Sequence, residues 1–149
     1  MGLQTGSNVT AEIGTTAAAA DAAAYATDTY VIIGGTESVS EYGDSSAEVT
    51  FTGASEGRTQ KLKGARDAGN VTISMGFLAG DAGQAALAAA EADDSSANYN
   101  FRITYSDGEV RYFSGQVASL RENPGGANNV LMLTSEIRIN TAITKVAAP

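Results

Sequence analysis

Few side chains in this sequence can do chemistry, and the first to weigh are the adjacent acids Asp93-Asp94, which follow an Ala-rich run. Two neighbouring carboxylates can hold a metal or divide acid–base work in a hydrolase. At the end of such a run, however, they are far more often solvated surface. The chain has no His, no Cys and no Trp. Ser-His and Cys-His nucleophilic pairs are therefore excluded, as are the usual zinc ligand sets. No Gly-rich phosphate loop and no EF-hand pattern occurs. Asn8-Val9-Thr10 and Asn70-Val71-Thr72 match the glycosylation sequon. Without a basic and apolar leader, these matches read as chance. The residues thus predict no catalytic site, no metal and no cofactor.

The second chemical feature is charge. Residues 1–57 carry eight acids and no base, whereas residues 58–149 carry nine of each. Four of those bases, Arg58, Lys61, Lys63 and Arg66, crowd into nine residues. They form either a solvated basic loop or a contact with the acidic part of a neighbouring copy. A nucleic-acid patch ranks third, because aromatic residues are not interleaved with the bases. A net charge of −8 should repel DNA rather than bind it. No apolar run reaches the length of a membrane span, and a soluble protein made in the cytoplasm is expected.

The elements that carry these residues read as mainly β. Asn98 to Tyr105 alternates, with Tyr99, Phe101, Ile103 and Tyr105 on one side and Asn98, Asn100, Arg102 and Thr104 on the other. That is a half-buried strand. Asp107-Gly108 supplies a tight turn, and Val110 onward returns, with a phase slip that predicts a β-bulge near Tyr112. Further strands are predicted at Thr29–Ile33, Glu48–Thr52, Asn70–Phe77 and Asn129–Asn140. One helix is predicted, with Asp81 as N-cap and Gln84 completing a capping box. Residues 53–70 lack apolar periodicity and predict a long loop. Residues 1–28 predict an N-terminal arm, either extended across a neighbour or simply frayed, ahead of one domain at 29–149. The polar strand face, made of Asn100, Arg102, Thr104, Glu136, Arg138 and Asn140, is either plain solvent surface or the wall of a shared water-filled cavity.

The order and spacing of several segments resemble the major tail tube protein of long-tailed bacteriophages. They are Gly64–Ile73, Gly80–Leu87, Tyr99–Gly108, Phe113–Ser119 and the long last strand Val130–Asn140. The first 28 residues depart from that pattern, being longer and richer in Ala. The resemblance implies a β-sandwich or half-barrel with one flanking α-helix. It further implies six-membered rings with a continuous inner β-barrel, stacked into a conduit for the genome. It implies a virion structural protein, not an enzyme, that is assembled in the bacterial host cytoplasm. Partners implied are other copies of itself and the tail terminator, tape measure and distal tail proteins, with double-stranded DNA passing through without specific binding. Under this resemblance the polar face would line the lumen, and the basic segment would work between rings. The alternatives are a tube protein of a contractile tail-like or secretion particle, and a monomeric all-β binding module.

Overall fold

The computed structural model describes residues 3–55 and 57–149. Met1 and Gly2 of the expected arm, and Glu56 of the acidic segment, lie outside the described residues. In chain order the elements are β1 (Thr10–Ile13), α1 (Ala22–Thr27), β2 (Val31–Ile32), β3 (Thr36–Val39), β4 (Ser45–Thr52) and β5 (Thr59–Asp67). There follow β6 (Asn70–Gly76), α2 (Ala82–Ala92), β7 (Tyr99–Thr104), β8 (Val110–Asn123), β9 (Met132–Ile139) and β10 (Thr144–Val146). The fold is mainly β, as the alternation predicts. An antiparallel sheet runs β2-β1-β7-β8-β9-β6-β3, with β10 beside the start of β8, and β4-β5 form a separate pair.

The predicted hairpin is β7–β8, in register from Thr104↔Val110 to Tyr99↔Gly115. Gly108 turns it at φ +96°, a conformation that Gly adopts without strain. Asp107 accepts the Glu109 N–H at 2.9 Å and so braces the turn.

The bulge, however, is not near Tyr112. Pairing with β7 is unbroken there, and the register shift lies at Ala118, on the β9 side. Phe113 and Tyr112 are both buried because both faces of β8 are covered at that point. Phe113 stacks on Phe101 in the main core, while Tyr112 stacks on Tyr25 of α1 on the opposite face.

The core fills the inner side of the curled sheet. It joins Ala11 and Ile13 of β1, Val71, Ile73 and Met75 of β6, and Phe101 and Ile103 of β7. Phe113 and Val117 of β8 and Leu133, Ile137 and Ile139 of β9 complete it. Leu87 and Ala90 of α2 pack into the same core.

Asp81 caps α2 by accepting the Gln84 N–H at 2.9 Å, but Gln84 does not close the expected box. Its amide instead reaches the carbonyls of Gly34 and Gly76, and its Oε1 accepts from the Leu78 N–H. Gln84 thereby fastens the helix to β6 and to the turn before β3. Gly83 lets α2 lie hard against β2, since a Cβ there would sit 2.0 Å from the Ile32 carbonyl oxygen.

Three further features depart from the sequence reading. First, the presumed arm is built into the fold from Thr10 onward: β1 is bonded on one side to β7 and on the other to β2. A second helix, α1, follows it. Its anchor is one aromatic, Tyr25, buried to 2% exposure, and polar bonds replace the apolar stripe that the sequence lacks. Second, residues 53–70 are not one loop. Half of them form β5, which pairs with β4 over Ser45↔Asp67 to Thr52↔Thr59. Both strands are exposed almost throughout, so no core imposes a buried face, and burial periodicity is missing. Third, β3 and β10, which the alternation does not reveal, pair with β6 and β8.

Candidate assembly surfaces

The covered part of the polar face is built around Asp28. Its Oδ1 accepts from the Thr15 hydroxyl (2.6 Å) and the Thr29 N–H (2.9 Å), and its Oδ2 from the Thr15 N–H and the Asn100 amide (both 2.9 Å). Partial burial pushes its carboxyl up, but these donors, led by Thr15, outweigh it and hold the group below its ordinary value. Asn100 also donates to the Ala17 carbonyl and accepts from the Ser114 hydroxyl. The Tyr25 hydroxyl lies within hydrogen-bond reach of Ser114 and Thr141. Residues 14–30 are thus a strap buckled across β7 and β8 by side-chain bonds.

Beside the buckle, Arg102 forms a two-pronged ion pair with Glu12 of β1 and lies 4.5 Å from the Tyr30 ring centre. The Glu12 hydrogen bonds raise the Arg102 pKa further, so this charge is permanent.

Of the six residues expected on an open polar face, Asn100 is 1% exposed and belongs to the interior. Arg102 and Thr104 are half-buried beside β1. The sequence pattern cannot show this cover, because the strap comes from a segment that looked unanchored. Glu136, Arg138 and Asn140 do face outward, with Glu136 and Arg138 paired at 3.7 Å. They share an open strip with Thr72 of β6 and Gln116 of β8, their cross-strand neighbours.

Arg58, Lys61, Lys63 and Arg66 all lie on or just before β5 and are exposed. Lys61 meets Glu48 at 3.8 Å and Arg66 meets Asp44 at 3.3 Å; such exposed pairs contribute at most about 1 kcal/mol. The hairpin that carries them has two unlike faces. Lys61 and Lys63 share one with Glu48, Thr50 and Thr52, while Val49, Phe51 and Leu62 share the other. Phe51 is 63% and Leu62 59% exposed. That apolar face is the feature that a reading by charge passes over. The period-two placement of Val49 and Phe51 among Glu48, Thr50 and Thr52 was its signal.

Asp93 is the C-cap of α2 and accepts from the Ser95 N–H and the Tyr99 hydroxyl, both at 2.9 Å. The Ser95 bonds, with that of Tyr99, hold its pKa below the ordinary value, and the same bond raises Tyr99. Asp94 is exposed. Among the described residues no cluster of three or more acids is placed to hold a metal.

No family model matches the sequence, and no curated protein sequence does. Solved structures do share the fold. The sheath/tube terminator of the extracellular contractile injection system PVC, in its extended state, aligns over 99% of both chains at 13% identity with a TM-score of 0.73. A chain from the tail of the empty gene transfer agent particle, refined with C6 symmetry, aligns over 97% of this chain and 100% of its own, at 15% identity and a TM-score of 0.69. The SPP1 tail tube aligns over 95% of this chain and 77% of its own, at 14% identity and a TM-score of 0.63.

Proposed function

We propose that this chain is a structural subunit of a tail-type tube, whose copies close into rings that stack as a conduit. The observation that carries this reading is the β4–β5 hairpin, which is exposed on both faces and apolar on one. A lone two-stranded ribbon is marginal in water, and exposed apolar faces mark interaction sites. The outer edge of β3, unpaired among the described residues, adds a second surface that a neighbouring copy would cover. The open strip of Thr72, Gln116, Glu136 and Arg138 pairs its own charges and offers no basic track, which suits the wall of a passage through which double-stranded DNA moves without adhering. Six copies per ring, a place in a virion tail, and terminator, tape measure and distal tail proteins as neighbours complete the proposal.

A second reading is favoured by the comparison itself. The TM-score is 0.73 to the sheath/tube terminator of a contractile injection system, against 0.69 to the gene transfer agent tail chain and 0.63 to the SPP1 tail tube. A terminator would form single rings and cap a tube rather than extend one. Negative-stain microscopy of the purified protein tests both: stacked tubes support the first, isolated rings the second, and a strict monomer at every concentration overturns the proposal.

A further inference from the structure

We infer that the apolar face of the β4–β5 hairpin docks into a groove beside α2 of a second copy, as a head-to-tail contact. This rests on the tube reading above and names the receiving surface.

The groove is a cleft of about 410 Å³ walled by Ala85 and Ala88 of α2, Phe77 and Leu78 after β6, Leu120 of β8 and Leu133 of β9. Small alanines on the outer side of the helix leave the cleft open. Phe77 and Leu78 stay close to half exposed, and Val130 beside Gly76 is 69% exposed. The molecule therefore carries two exposed apolar surfaces, a projecting one on the hairpin and a concave one under α2.

Their placement selects the partner. The hairpin leaves the sheet at Asp67, just before β6 begins at Asn70, whereas the groove opens at Phe77, just after β6 ends at Gly76. The seven residues of β6 separate them by roughly 20 Å along the strand. A twofold contact would pair hairpin with groove twice between two copies and then close, which leaves nothing to extend a tube. Translation along the strand instead repeats the contact without closing.

Charge agrees with this fit. The charged residues that line the groove are Asp81 and Glu122, and β5 with the residue before it supplies Arg58, Lys61, Lys63 and Arg66. Asp81 is part-buried with its Oδ2 accepting from the Gly34 and Gln84 N–H groups, whereas Glu122 is exposed and is the acid more open to an incoming base. In this arrangement Phe51 and Leu62 enter the cleft, while Lys61 and Lys63, on the opposite face of the hairpin, act only by longer-range attraction during approach.

The chain has no cysteine, so thiol cross-linking tests the contact directly. Gln60→Cys lies on the apolar hairpin face opposite Phe51, and Ala88→Cys lies in the groove. Ala142→Cys, exposed beside Asp44 and Arg66 at the hairpin's own end, is the control. Single variants are mixed, assembled, checked by microscopy and treated with a short bis-maleimide. The Gln60→Cys/Ala88→Cys mixture should give about tenfold more cross-linked dimer than Gln60→Cys/Ala142→Cys, because docking raises the thiols' effective concentration. Tubes that form with equal or reversed yields overturn the groove and leave the tube reading standing. Failure of all mixtures and of the unaltered protein to assemble overturns both.

Discussion

Asp28 does with four hydrogen bonds what α1, short and rich in Ala, cannot do by burial. In Asp28→Asn one carboxylate oxygen becomes an NH2 group facing two donors, so roughly 1–3 kcal/mol of stability should be lost at neutral pH. Because its folded pKa lies below the ordinary 3.8, this contribution is present above the unfolded value and fades as pH falls through the folded one. Urea melts at pH 7 and near pH 3 should therefore show a gap between wild type and variant that narrows in acid. A constant gap would mean that the carboxylate charge is not what holds the strap. Little of this was legible in the sequence. Asn100 and Arg102 alternate as any exposed polar pair would, and their partners Asp28 and Glu12 lie 72 and 90 residues away.

At the scale of elements, legibility followed burial. β6, β7 and β9 each present one face to a single core, so period two was written plainly in Val71-Ile73-Met75, Phe101-Ile103 and Leu133-Ile137-Ile139. β8 is covered on both sides near Tyr112 and bulged at Ala118, and there the pattern gave the slip but not its place. β4 and β5 face no core in their own chain, so the alternation of Val49 and Phe51 had no burial to report. Two glycines test the packing. Gly83→Ala should destabilise by about 1–3 kcal/mol through the collision with β2, although Ala normally favours a helix interior over Gly by about 1 kcal/mol. Gly108→Val should cost more than about 1 kcal/mol through positive-φ strain. Thermal melts read both, and a Gly83→Ala protein as stable as the parent would show that α2 sits further from β2.

For the whole molecule, the two faces of the β4–β5 hairpin make distinguishable demands. Replacing Phe51 and Leu62 with Ser should abolish stacking yet leave the subunit's melting temperature nearly unchanged, since both side chains are mostly in water already. Reversing Lys61 and Lys63 to Glu should weaken stacking too, but in a way that low salt exaggerates, because exposed charges are screened within about 10 Å at 0.1 M ionic strength. Sedimentation velocity at two salt concentrations separates these effects, and normal stacking by the serine double variant would remove the hairpin from the account. The β class and the resemblance to tail tube proteins were legible before any coordinates. Which surfaces stay open was not, because exposure is decided by which segments come to lie over which.

The same hairpin also decides how a free subunit is digested. Four of the nine Lys and Arg residues lie at 58–66, in backbone held by one partner strand and wet on both sides. Trypsin should nick there first. The two fragments would not part, for β1 remains bonded to β7 and β3 to β6 across the cut. A nicked chain would elute whole and fall into halves only in denaturant.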